Sequence, residues 1–200
     1  MWAFPEIRNV ADIVRYNAKQ YPQQTATQFM GYALSWAELD EKSSKMANAM
    51  RGVGVNQGDR VLYYAGNADD YFLTIYACAK INAVFIPMNW RLSSTEAAGI
   101  LNDAKIAGQR EQNPLWQWYD GADSSDPNAY CGLDDTTWQI YTSGTTGIPK
   151  GVEFCQAGIM NMRLCEHLEP AYTWGAQDRF LFCVPSFHLL GLGLSMQAMY

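Results

Sequence analysis

Between Thr142 and Gly151 the chain reads Thr142-Ser143-Gly144-Thr145-Thr146-Gly147-Ile148-Pro149-Lys150-Gly151, a run of small and hydroxylated residues closed by one cation. Backbone N–H groups in such a run can approach a ligand closely, and Gly144 and Gly147 accept backbone angles that other residues resist. The hydroxyls of Thr142, Ser143, Thr145 and Thr146 add donors, and Lys150 adds a point charge able to neutralise phosphate oxygens. The chemistry these residues suit is the holding of a phosphate group. A flexible Ser/Thr/Gly linker is the alternative reading. Linkers seldom run directly out of an apolar strand, however, and Trp138-Gln139-Ile140-Tyr141-Thr142 reads as one. The spacing is not that of a Walker loop: Pro149 stands where G-x-x-x-x-G-K-[ST] needs glycine, and Gly151 where it needs a hydroxyl. Nor does a G-x-G-x-x-G open a first βαβ unit; Gly52-Val53-Gly54 reads as a helix stop.

Other elements must hold that loop in place. The 200 residues, 48% hydrophobic and 17% charged, are enough for a globular chain with a sizeable core. A net charge of −6 gives nucleic acid or an anionic membrane no broad attraction, so an anionic ligand needs a local site. Val10, Ile13, Val14, Ala18 and Tyr21 share one helical face, with Asn9 as N-cap and Pro22 as a stop. Ser35 and Glu38 are spaced as a capping box, and Leu39, Ser43, Met46, Ala47 and Met50 continue that helix inward until Gly52 and Gly54 end it. A strand over 60–65, a helix from Asp69 to about Ile81 and a strand over 83–87 make a βαβ unit. Ser93 and Glu96 repeat the capping box. Residues 108–135 turn polar around the cluster Leu115, Trp116, Trp118 and Tyr119, and read as a linker between a first unit, 1–107, and a phosphate-loop unit, 136–200. Beyond the loop the pattern predicts a helix from about Gln156 to Leu168 and a strand over 180–184. Strands alternating with helices argue an α/β fold with a mostly parallel sheet.

The stretch from Phe180 to Met196 is the most apolar, but Pro185, Ser186, His188, Gly191 and Gly193 interrupt it, so it reads as buried strand and loop with no transmembrane segment. The start, Met1 to Glu6, lacks the basic and apolar regions of a signal peptide. Cys78, Cys131, Cys155, Cys165 and Cys183 are odd in number and contain no C-x-x-C pair, which fits reduced core thiols in a cytoplasmic protein.

The run from Tyr141 to Val152 resembles the phosphate-binding signature of the adenylate-forming superfamily, which includes acyl-CoA and aryl-CoA ligases, luciferases and peptide-synthetase adenylation domains. Further segments agree in order. Leu34 to Leu39 is similar to that family's early helix start, Gly58-Asp59-Arg60-Val61 to its first core strand, and Ala79 to Asn89 to its second block. Val184-Pro185-Ser186-Phe187-His188-Leu189-Leu190-Gly191 resembles its Pro-x-Phe-His-x-x-Gly block. The resemblance implies the partial N-terminal domain of an AMP-forming acid–thiol ligase. A carboxylate would attack the α-phosphate of ATP to give an acyl-adenylate and pyrophosphate, and coenzyme A would then take the acyl group. It implies phosphate contacts from Thr142, Ser143, Gly144, Thr145, Thr146, Gly147 and Lys150, catalytic positions at Lys150 and His188, and an acid site bordered by Phe187 and His188. Mg²⁺ would bridge the phosphates. The implied partners are a small carboxylic acid and a nucleotide.

On its residues alone His188 reads as a hydrogen-bonded structural histidine; the resemblance moves it to the substrate site without assigning it proton transfer. His167 reads as a cation at the C-terminal turn of a helix. Two departures from the family stand out. A strand and helix usual before the phosphate loop are replaced by the polar stretch, and Glu153 stands close to the loop. The residues the family uses for adenine, ribose and Mg²⁺, and its C-terminal domain with a catalytic lysine, would lie beyond Tyr200. No residue of this chain is therefore assigned as a metal ligand, and the chain alone is expected not to complete the reaction. A non-catalytic nucleotide-binding module and a truncated gene product are the alternative readings.

Overall fold

The computed structural model describes residues 6–104, 115–142, 149–163, 168–169, 171, 173–175 and 177–200. Helix starts follow from their first residues. Asn9 caps α1 (Val10–Gln20) by accepting from the Asp12 amide; Val10, Ile13 and Val14 turn inward, while Tyr21 lies past the last turn and is exposed. Ser35 and Glu38 satisfy each other's backbone donors at the start of α2 (Trp36–Gly52). Between α1 and α2 the sequence reading misses a hairpin of β1 (Thr25–Phe29) and β2 (Tyr32–Ser35). Its turn residues Met30 and Gly31 both have positive φ, 45° and 90°, the primed geometry that suits two-residue hairpins. A methionine in the first of those positions conceals the usual cue.

The main sheet has the order β3-β4-β5-β6, built from β3 (Arg60–Tyr63), β4 (Val84–Pro87), β5 (Thr136–Thr142) and β6 (Lys150–Cys155). The first three strands are parallel and β6 is antiparallel to β5. The first parallel pair is joined through α3 (Asp70–Lys80), as the βαβ reading expects. Alternation sorts the sheet's side chains between two layers. Tyr63, Phe85, Trp138 and Ile140 enter the large core with α1, α2 and α3. Val84 and Ile86 pack with Leu62, Tyr141 and Ala104 beside α4 (Ser94–Asp103), which opens on the Ser93–Glu96 capping box. All four residues of β4 are buried, as expected of a strand covered on both faces.

Three expectations need correction. The segment 180–184 forms no strand: the carbonyls of Phe182 and Val184 accept from the Asn67 side chain, which occupies the positions a neighbouring strand would fill. The helix expected over 156–168 is broken at its middle: α6 (Gln156–Met160) passes into a 3-10 turn, Asn161–Arg163, while 164–167 lie outside the described residues and Leu168 is again helical. The end of the stretch read as strand and loop is instead a helix, α7 (Leu189–Met199); it is apolar on most sides and buries Leu192, Met196 and Met199.

The polar stretch is well anchored from Leu115 onward. It contains α5 (Leu115–Tyr119) and then lies along the helical layer. Asn48 donates to the carbonyls of Asp123 and Ser125, both at 2.8 Å, and the Ala129 amide donates to Lys80 O at 3.0 Å. Arg15 grips both oxygens of Asp126 at 2.7 and 2.8 Å and also bonds Asp12. The Lys80 ammonium, its side chain fully buried, donates to Asp40 O, Asp40 Oδ1 and Ser44 Oγ at 2.6, 2.6 and 2.7 Å, with Asp126 3.8 Å away. Burial pushes the Lys80 pKa down against the opposing pull of Asp40. Arg15, also desolvated, is held still more firmly charged by Asp126 and Asp12.

Candidate phosphate and acyl site

Because β3, β4 and β5 are parallel, their carboxyl ends at Tyr63, Pro87 and Thr142 open on one edge of the sheet. Loops beyond that edge are where open α/β sheets take ligands. Thr142 is the last residue of β5 and Lys150 the first of β6; they are register partners across the hairpin, both exposed. Residues 143–148, which carry Ser143, Gly144, Thr145, Thr146 and Gly147, lie outside the described residues, so the structure brings together the two ends of the proposed phosphate loop. His167 and Cys165 lie outside as well.

A polar chain ties this hairpin to the rest of the sheet. Arg60 on β3 donates from Nε to Gln139 Oε1 at 2.7 Å, Gln139 Nε2 donates to Tyr141 Oη at 3.0 Å, and Tyr141 donates to Asp103 at the end of α4. Desolvation and the Asp103 carboxylate push the Tyr141 phenol pKa up, so it remains a donor. Gly151 leaves room for this chain: a Cβ there would push the Gln139 carboxamide off its bonds to Arg60 and Tyr141 and lie 3.1 Å from the Tyr141 ring. Glu153, read from sequence as a charge close to the phosphates, is instead paired with Arg60 at 2.9 Å and accepts from Thr136.

The Pro185–Gly191 block is built differently. Pro185 O accepts from the His188 amide in a turn, and His188 O then accepts from Leu192 to begin α7. Gly191 fits because a Cβ there would strike Pro185 O. Phe187 is buried, whereas His188 is exposed at the N-cap of α7, its ring 4.6 Å from that of Phe187. The structural-histidine reading needs a hydrogen bond from the ring, and none caps the helix. Phe187 and His188 are thus paired with one another; among the described residues no hydrogen bond or ring contact joins them to Thr142 or Lys150. Sequence reasoning missed Asn67, which anchors the front of this block. Its only signal was position, just past a strand end, and nothing in its type named its partner.

The architecture matches known N-terminal domains. It superposes on the inhibitor-bound N-terminal domain of FACL13 from Mycobacterium tuberculosis with a TM-score of 0.84 and 24% identity, covering 96% of this chain and 55% of that one. It superposes on o-succinylbenzoate CoA synthetase from Bacillus subtilis, solved with an acyl-adenylate intermediate, with a TM-score of 0.81 and 24% identity over 94% of this chain and 53% of that one. At this identity the likeness speaks for the fold. The AMP-binding enzyme family profile matches residues 14–108 and 105–200, and the chain belongs to that family. Among curated relatives, feruloyl-CoA synthase of Amycolatopsis sp is 33% identical over 194 residues, 88% of this chain and 39% of the relative. The chain therefore spans about two-fifths of that relative's length.

Proposed function

We propose that this chain is the front part of an AMP-forming acid–thiol ligase that activates a carboxylic acid with ATP and passes the acyl group to coenzyme A. The observation that carries the reading is the Thr142–Lys150 pair at the carboxyl edge of the sheet, an exposed hydroxyl and an exposed ammonium at the two ends of a Gly/Ser/Thr loop. In this role the loop from Thr142 to Gly147 and Lys150 hold and neutralise the departing pyrophosphate. Phe187 supplies an apolar wall for the acid, and His188 a polar tip beside it. The relatives point the same way, since feruloyl-CoA synthase is named for a CoA thioester. Mg²⁺, where it serves such a reaction, screens phosphate charge. The described acidic groups near the hairpin are committed elsewhere, Glu153 to Arg60 and Asp103 to Tyr141, so neither is assigned as a Mg²⁺ ligand. We place the protein in a reducing, cytoplasmic setting, consistent with the free thiols Cys78, Cys131, Cys155 and Cys183.

Calorimetric titration of the chain with pyrophosphate and with ATP tests the reading. Lys150→Ala should weaken both roughly 10- to 100-fold, the worth of one charge-assisted contact of about 1.5–3 kcal/mol. Unchanged affinity in that variant would remove the loop from the account. Binding without acid-dependent exchange of pyrophosphate into ATP would leave the chain as a nucleotide-binding module.

A further inference from the structure

Asn67 lies in the turn between β3 and α3, more than a hundred residues from the block it holds. Its Nδ2 donates to Val184 O at 2.8 Å and to Phe182 O at 3.3 Å, and its Oδ1 accepts from the Ser186 amide at 3.0 Å. These three groups belong to alternate residues, so one carboxamide takes the place of a strand's hydrogen-bonding edge. Only a side-chain amide can do this: it offers two donors and an acceptor at one tip. Aspartate has no donor, and glutamine sets the amide one methylene further out. The next carbonyl, Ser186 O, is taken by the buried Tyr71 hydroxyl at 2.8 Å, while the Phe182 ring packs against Tyr71 and Phe72 at 5.6 and 5.7 Å. These hydrogen bonds and ring contacts tie residues 182, 184 and 186, just ahead of Phe187 and His188, to the segment from Asn67 to Phe72.

We propose that Asn67 is the positioning residue of the acyl side of the site: by fixing Phe182, Val184 and Ser186 it sets Phe187 and His188 at the carboxyl edge of the sheet, and so controls affinity for the acyl half of an adenylate without touching the phosphates. The ligand part of this proposal rests on the ligase reading; the positioning part does not.

The test uses the full chain, labelled for NMR, with Asn67→Ala, the isosteric Asn67→Asp, and Tyr71→Phe as a control that removes one bond to Ser186. In Asn67→Ala the Ser186 amide loses its acceptor and should exchange at least about tenfold faster. In Asn67→Asp the acceptor survives, so Ser186 remains protected, but a carboxylate now faces two carbonyl oxygens. The His188 ring signals, easily assigned among only two histidines, should move in both variants. Affinity for benzoyl sulfamoyladenosine, a stable acyl-adenylate mimic, should fall about tenfold in Asn67→Asp while pyrophosphate affinity stays within about twofold. Unchanged analogue affinity and unchanged His188 signals in Asn67→Asp would overturn the proposal, as would equal loss of both ligands. If the unaltered chain binds neither ligand, the ligase reading fails, and Ser186 exchange with the His188 signals decides the positioning claim alone. Should Asn67→Ala fail to fold, the isosteric variant carries the test.

Discussion

Between α2 and the end of α3 the ammonium of Lys80 is fully buried, donates to three oxygens and has Asp40 and Asp126 as counter-charges; at the mouth of the β5–β6 hairpin Lys150 is exposed and has no ion-pair partner among the described residues. The same side chain does two kinds of work. Desolvated and saturated with acceptors, a lysine becomes a fastener, because removing it strands the carboxylates it satisfied. Left in water with its donors uncommitted, it adds little to folding and keeps its charge for a ligand. If the hairpin mouth holds phosphate as proposed, the ion cluster and the hairpin mouth separate stability from binding.

Replacing each lysine in turn should break the symmetry of charge most sharply. Lys80→Ala is expected to cost about 3–5 kcal/mol in denaturant unfolding, and Lys150→Ala less than about 0.5 kcal/mol. Comparable losses would mean that the two regions do not differ as described. A smaller effect is expected one step out in the cluster. Asp126→Asn weakens the grip of Arg15 on the 120–128 segment and should cost about 2 kcal/mol, read also as faster exchange of the Ala129 amide that bonds Lys80 O. Smallest is the acid limb of stability. Burial of Asp126 works to raise its pKa, but the Arg15 hydrogen bond and the Lys80 charge outweigh this and hold the carboxyl below its ordinary value. With a folded pKa below the unfolded value of about 3.9, Asp126 stabilises above about pH 4 and loses that contribution as pH falls through its folded value. Asp70, whose pKa is raised by burial, acts in the opposite direction, so the difference between the wild type and Asp126→Asn isolates the term. That difference should shrink on acidification; a constant gap would show that Asp126 acts by shape alone.

Local rules written in adjacent residues were legible in the sequence. Both capping boxes, the Asn9 cap, and the β3–α3–β4 unit depend on contacts within a few positions, and the structure shows each of them. The Gly/Ser/Thr run also reads as a phosphate loop from consecutive residues, but 143–148 lie outside the described residues, and the structure locates only its ends, Thr142 and Lys150. What escaped was settled at a distance. Whether 180–184 becomes a strand depends on what meets its edge, and Asn67 meets it first. The polar composition of 120–135 suggested a loose connection, yet its carbonyls and carboxylates are matched by Asn48, Arg15 and Asn82, residues no local pattern links to it. Lys80 read as part of a family block; its burial in an ion cluster comes from the packing of α2 on α3.

Three neighbouring positions on β6 show how differently a sequence can be held in place. On the proposed function, position 150 is constrained by charge, because its exposed ammonium serves the phosphates rather than the fold. Position 151 is constrained by absence, because Gln139 already fills the volume any side chain would claim. Val152, 42% exposed, answers to neither demand. Saturation mutagenesis along this strand should therefore give three unlike profiles: basic residues retained at the first, every replacement penalised at the second, and broad tolerance at the third. The strand would record, residue by residue, where ligand binding stops and the packing of the sheet begins.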